Sequence, residues 1–209
     1  MDQRISFTPE EISRLVDTDF FRAKSQISAK VRHSLEQLYR AFQSELVGRD
    51  LLAPDGFDPE SAQFVKGEHL EDFPYQYLDF PRHYTREDKF SFRTLFWWGH
   101  HVVFALILEG SHIRQYKQNL MNRYASLANQ GICLCLSPSL WEWKSGPGYT
   151  LQLTQDRKSE AAAVLSNRSS LKVAHFVPMT HPFVQSGKFV RVGQEKFRAM
   201  LAIITQPET

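Results

Sequence analysis

Cysteine is scarce in this chain of 209 residues, which contains only Cys133 and Cys135. Two cysteines cannot supply the disulfide framework that holds small secreted domains together. The opening segment MDQRISFTPEEI has neither the basic region nor the apolar region of a secretory signal. A reducing cytoplasm is therefore the predicted location.

Long hydrophobic runs and an excess of one charge are also missing. The longest apolar run, VVFALIL at 102–108, is far too short to span a bilayer. Lysine and arginine number 25 against 23 aspartates and glutamates, which leaves a formal charge of +2. This balance does not indicate a nucleic-acid partner, and no membrane partner is expected.

The motifs of common cofactor and metal sites are absent as well. The sequence has no glycine-rich phosphate loop, no GxSxG and no HExxH. Cys133 and Cys135 lack a second cysteine pair for zinc, and strand alternation would send His100 and His101 to opposite faces. The sequence therefore predicts no cofactor and no metal.

The N-terminal region carries strong helix signals. Thr8 is placed to cap a helix that starts at Pro9, with Glu11 as the third member of a capping box. Apolar residues at helical spacing then predict a long second helix from about Asp19 to about Val47. The segment 48–72 contains Pro-Asp-Gly and other breakers and predicts a loop.

The rest of the chain alternates strand and helix patterns. A strand in PYQYLDFPRHY is expected to end at Pro81, and WEWKSGPGYTLQLT predicts a further hairpin. We predict one α+β domain over 1–209, with N-terminal helices in 1–47 and the sheet with its other helices in 73–209. The sheet should be curved and mostly antiparallel, with helices packed chiefly on one face.

The segment FRTLFWWGHHVVFALIL, residues 92–108, predicts a central hairpin. A two-residue turn at Gly99-His100 would place Phe96 opposite Val103. Both faces of this hairpin are apolar, so each face is expected to be packed or to border a cavity.

Arg93 is the exception within that hairpin. A guanidinium among apolar side chains needs a partner or must reach an edge. The sequence leaves two interpretations open: a structural ion pair with Asp79 or Glu109, or an arginine that binds an anion in a pocket.

Two segments carry a resemblance to known families. PYQYLDFPR followed by FRTLFWWG resembles a block found in small uncharacterised bacterial proteins, and the matching residues are Asp79, Arg82, Arg93, Trp97, Trp98 and Gly99. The order of FTPEEISRL, AKVRHSLEQL and the ending HFVPMTHPFVQSGKFVRVGQEKFRAML is similar to the YktB-like family, also of unknown function. That likeness implies a curved sheet with helices and supplies no activity.

The leading functional prediction is a binding module for a small or anionic ligand. Its groove is expected to be lined by aromatic and charged side chains: Tyr75, Tyr77, Asp79, Arg82, Arg93, Trp97 and Trp98. One alternative is a metal-dependent hydrolase or nuclease that uses Asp79 with Glu142 and Lys144 of WEWK. Another is a structural or interaction protein that forms a homodimer through an exposed apolar patch.

Overall fold

The computed structural model describes residues 5–206, which contain seven α-helices and a seven-stranded antiparallel sheet that does not close on itself. The helices are α1 Pro9–Leu15, α2 Thr18–Leu46, α3 Ile113–Asn122, α4 Tyr124–Leu127, α5 Lys158–Ser166, α6 Pro182–Gln185 and α7 Phe189–Ile204. The strands are β1 Gln63–Leu70, β2 Phe73–Tyr84, β3 Lys89–Trp97, β4 His101–Glu109, β5 Cys133–Cys135, β6 Thr150–Gln152 and β7 Ser170–Pro178.

The strand order across the sheet is β1-β2-β3-β4-β7-β5-β6. The first four strands form a meander, and β7 then inserts between β4 and the short β5–β6 pair. Helices α2, α3 and α7 pack on one face, which we call the helix face. The predicted α+β domain with helices chiefly on one side is therefore confirmed.

The start of α1 is as predicted, because its signals are local. The Thr8 hydroxyl accepts a hydrogen bond from the Glu11 backbone N–H, and the Glu11 carboxylate accepts one from the Thr8 N–H. Asp17 caps the start of helix α2, where its carboxylate accepts a hydrogen bond from the Phe20 N–H. Within the described part of the chain, no helix is both long enough and apolar enough to cross a membrane.

Aromatic rings dominate the core on the helix face. Phe42 of α2 stacks on Phe197 of α7 at 4.4 Å, and both rings meet Phe92 of β3 edge-on. All three side chains are fully buried. This cluster joins the two longest helices to the centre of the sheet.

The predictions for β1 and for the end of β2 were wrong. Strand β1 lies inside the segment predicted as a loop, where it pairs with β2 at the edge of the sheet. None of its side chains is buried, so backbone pairing rather than an apolar pattern holds it there. Strand β2 also continues past Pro81. A β-bulge between Asp79 and Arg82 interrupts the regular pairing with β3 at this point, so the strand tolerates a proline, which has no backbone N–H to donate.

The central hairpin differs from its prediction by one residue. Strand β3 ends at Trp97 and β4 begins at His101, so three residues rather than two form the turn. Gly99 occupies the left-handed region at φ 74° within this turn. Phe96 therefore lies opposite Val102, not Val103, and Arg93 lies opposite Ala105.

Candidate functional site

The face of the sheet opposite the helices, which we call the loop face, carries nearly all the charged residues of the central strands. Asp79 on β2 lies directly opposite Arg93 on β3, and Ala105 on β4 follows in the same row. Residues 136–149, here called the covering loop, close over this row through Leu140 and Trp143. The WEWK segment thus forms part of a loop and not the predicted hairpin strand.

Arg93 and Asp79 form a two-point ion pair beneath the covering loop. Nε of Arg93 donates to Oδ1 of Asp79, and an Nη donates to Oδ2, both at 2.7 Å. Asp79 is completely buried and Arg93 is 8% exposed. The paired geometry matches the planar guanidinium to the carboxylate, and the Tyr84 hydroxyl adds a hydrogen bond to Asp79 at 3.3 Å.

Three aromatic rings surround the same guanidinium. Its central carbon lies 3.8 Å from the ring of Tyr77 and 5.1 and 5.4 Å from those of Trp141 and Trp143. Burial opposes the positive charge, but the hydrogen bonds and charge of Asp79 outweigh it and raise the pKa of Arg93. The loop face around Arg93 is therefore packed, and its cation is already neutralised.

Lys172 on β7 is a second buried cation on this face, and it is 3% exposed. Its ammonium group donates to the backbone carbonyls of Leu140 at 2.9 Å and of Glu142, and lies 4.3 Å from the ring of Trp143. Burial lowers the pKa of Lys172. Lys172, through its hydrogen bonds, and Arg93, through its contacts with Trp141 and Trp143, together attach the covering loop to the sheet.

The attached loop in turn orients His101 at the start of β4. Nε2 of His101 lies 2.9 Å from the carbonyl oxygen of Trp143. A carbonyl oxygen can only accept, so Nε2 carries the proton and Nδ1 is left as an acceptor. Burial lowers the pKa of His101, which keeps the ring neutral at pH 7.

We expect acid to destabilise the protein partly through His101. In the unfolded chain this histidine takes up a proton near its ordinary pKa of 6.5, whereas the folded chain resists protonation. The contribution to stability is therefore complete above about pH 6.5 and is lost as the pH falls below it. Urea unfolding between about pH 7.5 and pH 5.5 should give a shallower pH slope for His101→Gln than for the wild type.

The matched control is His33→Gln, since His33 is exposed on α2. That variant should keep the wild-type slope. Part of the slope should remain in His101→Gln, because burial also lowers the pKa of His175. An unchanged slope in His101→Gln would contradict the neutral, loop-oriented histidine.

Beside the covering loop lies a cleft with a volume of about 680 Å³. Its lining combines polar and apolar side chains, which include His100, His101, Cys133, Thr150, Gln152, Leu136, Leu151, Val177 and Phe176. Gly146 and Gly148 of the covering loop form part of the wall and add no side chain. The volume lies within the range of small-molecule sites in proteins.

The cleft mixes polar and apolar surface, and its charges balance. Arg157 and Glu160 line it as a two-point ion pair with hydrogen bonds of 2.8 and 3.0 Å. Burial raises the pKa of Cys133 to about 11, so its thiol stays protonated and is a poor nucleophile. Nδ1 of His101 is a neutral acceptor among the groups that line the cleft.

The two histidines of the central hairpin lie together rather than apart. His100 belongs to the turn, and its ring stacks on Trp97 at 3.8 Å, while His101 meets the same indole edge-on at 5.4 Å. The expectation that they face opposite sides was wrong, because strand alternation does not hold within the turn. Both rings line the cleft.

The residues predicted to form a groove do not all share one. Tyr75 and Tyr77 stack in parallel at 6.1 Å on the loop face, close to the Arg93–Asp79 pair. Arg82 lies 5.0 Å from the ring of Tyr84. The structure places Trp97 on the same face, where its indole N–H donates to the Leu70 carbonyl at 2.9 Å.

Trp98 is separated from that group. It lies at the helix-face edge of the turn, beside Ile27 and Val31 of α2. The residues named from sequence therefore surround a packed ion pair, whereas the open cleft lies toward β5, β6 and β7. Arg93 is a support of the covering loop and is not among the residues that line the cleft.

The three residues of the predicted hydrolase are each engaged elsewhere. Both carboxylate oxygens of Asp79 accept from Arg93, and Oε1 of Glu142 accepts from the Lys144 backbone N–H at 2.9 Å. Nζ of Lys144 pairs with Glu71 at 2.8 Å. Among residues 5–206, no three His, Cys, Asp or Glu side chains come together in a group that could hold a metal ion.

Sequence reasoning weighed His100, His101 and Cys133 only as metal ligands and missed the other residues of the cleft, although one signal for its support was available. Lys172 stands in the apolar strand LKVAHFV just as Arg93 stands in its own strand, so the same argument marks it as a cation in need of partners. No comparable signal marks Thr150, Gln152 or Phe176. They become neighbours only through the pairing of β5 with β6 and β7.

Comparison with known proteins gave no match to a family model, to a curated protein or to a solved structure. The resemblance to the YktB-like family accordingly stays a prediction.

Proposed function

We propose that this chain is a binding module for a small polar molecule, and that the ligand occupies the cleft beside the covering loop. The observation that carries the proposal is the orientation of His101 at this cleft. Its Nε2–H is committed to the Trp143 carbonyl, so a lone pair on Nδ1 is available to a donor on a ligand.

The lining favours an uncharged or zwitterionic ligand that carries a hydroxyl or amide donor. The one full positive charge in the lining, on Arg157, is balanced by Glu160. Phe176 packs edge-on against His101 at 5.2 Å and offers an apolar ring next to the acceptor. An acceptor and an apolar surface side by side suit a small molecule with a ring and a polar substituent.

This proposal revises the predicted anion-binding role of Arg93. A guanidinium whose charge is matched by a buried carboxylate has little attraction left for an anion. Arg93 and Lys172 instead hold the loop that orients His101. Such support restricts the motion of the covering loop and of His101 before the ligand binds, which reduces the conformational entropy lost on binding.

We place the module in the cytoplasm, as the sequence predicts. The two cysteines are free and buried, with the pKa of each thiol raised by burial. Protonated thiols of this kind suit a reducing compartment and need no disulfide partner.

Filling the cleft should abolish ligand binding without harming the fold. Gln152 is exposed on β6 and lines the cleft, so Gln152→Trp adds bulk there and leaves the core unchanged. We would screen the wild type by ligand-observed NMR against amino acids, nucleosides and monosaccharides. Any compound that binds should lose affinity at least about tenfold in Gln152→Trp, a change of about 1.4 kcal/mol.

The matched control is Gln63→Trp, which places the same substitution on an exposed position of β1. It should bind like the wild type. The proposal fails if no compound class binds the wild type, or if binding is equal in the two tryptophan variants. If the ligand also shifts the imidazole resonances of His101, the ligand lies next to the proposed acceptor, Nδ1 of that histidine.

A further inference from the structure

The N-terminal arm, residues 5–27, exposes an unusual amount of apolar surface. Helix α1 has no buried residue. Large apolar side chains at least 46% exposed occur throughout the arm: Ile5, Phe7, Ile12, Leu15, Val16, Phe20, Phe21 and Ile27. Single exposed apolar residues are normal, but this density on one segment marks an interaction surface.

The exposed residues of α2 continue a stripe that is buried farther along the same helix. Val31, Leu35 and Phe42 face the sheet and belong to the core. Ile27 and Phe20 extend this stripe at helical steps of four and seven residues, beyond the part that the sheet covers. An apolar stripe of this kind is stable in water when something covers its whole length.

An apolar groove lies where the arm joins the body. Its volume is about 230 Å³, and Ile27, Val31, Phe96, Trp98, Met179 and Val184 line it. Ile27 belongs both to the arm and to the groove, so the two form one continuous surface. The groove also accounts for Trp98, the predicted site residue that lies away from the loop face.

We propose that the arm and the groove form the interface of a homodimer. The arm of each copy packs along the arm of the other and reaches the partner's groove, as a two-fold arrangement allows. Eight large apolar side chains that each cover on the order of 100 Å² amount to roughly the 800 Å² per partner of a stable interface. The arm thus carries enough apolar area to hold two copies together.

The charges of the arm favour a second copy over a membrane. The arm holds four acidic residues, Glu10, Glu11, Asp17 and Asp19, and three basic residues, Arg14, Arg22 and Lys24. Helices that lie in a membrane surface carry a polar face rich in lysine and arginine. A surface with charges of both signs in nearly equal numbers can instead pair with its own copy, since opposite charges can meet across a two-fold axis.

Sedimentation velocity of the full chain tests the proposal. The wild type should be dimeric at about 10 μM, and Phe20→Glu should raise the dissociation constant at least about tenfold, because it places a charge in the interface of both copies. Phe20 is 56% exposed, so the variant should fold, as circular dichroism can check. Val47→Glu is the control, since Val47 is 81% exposed at the opposite end of α2.

A wild type that stays monomeric at about 100 μM overturns the proposal, even if the arm binds neutral lipid vesicles or another protein. Equal dissociation constants for the two glutamate variants overturn it as well. Phe21→Cys gives a second measurement, because arms that run side by side should form a disulfide between copies under mild oxidation. The same cysteine at position 47 should remain unlinked.

Discussion

Replacing Arg93 by methionine is expected to lower the free energy of unfolding by about 3–5 kcal/mol. The substitution leaves the carboxylate of Asp79 completely buried and without its two strongest hydrogen-bond donors. The buried carboxylate has then lost its hydration without gaining hydrogen bonds from the arginine. Its full desolvation free energy therefore destabilises the folded state. Urea unfolding measures the loss directly.

The double variant Arg93→Met, Asp79→Leu separates the ion pair from its packing. Removing both partners leaves neither of them as an unpaired buried charge, so at least half of the stability should return. Arg191→Met is the control, because Arg191 pairs with Glu195 on the exposed surface of α7 and should have no measurable effect. A loss below about 1 kcal/mol in Arg93→Met would mean that water reaches Asp79.

The same double variant tests what Arg93 does for binding. Arg93 does not line the cleft, and Lys172 still holds the covering loop in the double variant, so a ligand found in the wild type should still bind, though less tightly. If the folded double variant loses the ligand completely while Gln152→Trp retains it, the ligand lies over Arg93, as the sequence first suggested. The two variants therefore distinguish the two possible places on the loop face.

Gly193→Val should lower the free energy of unfolding by about 2–3 kcal/mol. Gly193 lies in α7 where the helix crosses α2 and β4, and a Cβ there would approach Cδ2 of Leu38 to 2.6 Å and Cε1 of Phe104 to 2.8 Å. Both neighbours are completely buried, so neither has free space to move into. The clash must separate the helix from the sheet or force strained rotamers.

Two further variants test whether the clash of the added side chain causes the loss of stability. Glu195→Val places valine at an exposed position of the same helix and should show only the small effect of helix propensity. Adding Leu38→Ala to Gly193→Val removes the nearest atom, so the double variant should be more stable than the sum of the single losses by at least about 1 kcal/mol. Strict additivity would mean that α7 does not approach α2 this closely.

The sequence by itself determined the features that depend on neighbouring residues. The start of α1 follows from Thr8, Pro9 and Glu11, because a capping box is made within four residues. The α+β class follows from two spacings of apolar residues, every three to four residues in the helices and every second residue in the strands, which persist over whole segments. Arg93 was recognised as needing a partner, and Asp79 was one of the two partners named, since a cation in an apolar strand has few ways to be satisfied.

Tertiary structure alone decided the pairing of the hairpin and the place of the cleft. A turn of three residues instead of two moves every cross-strand pair by one position, and the local signals of Gly99 and His100 fit either length. The cleft joins residues from the hairpin turn, β5, β6, α5 and β7, which are far apart in the chain. No spacing in the sequence encodes such a site, because insertion of β7 between β4 and β5 is what brings its walls together.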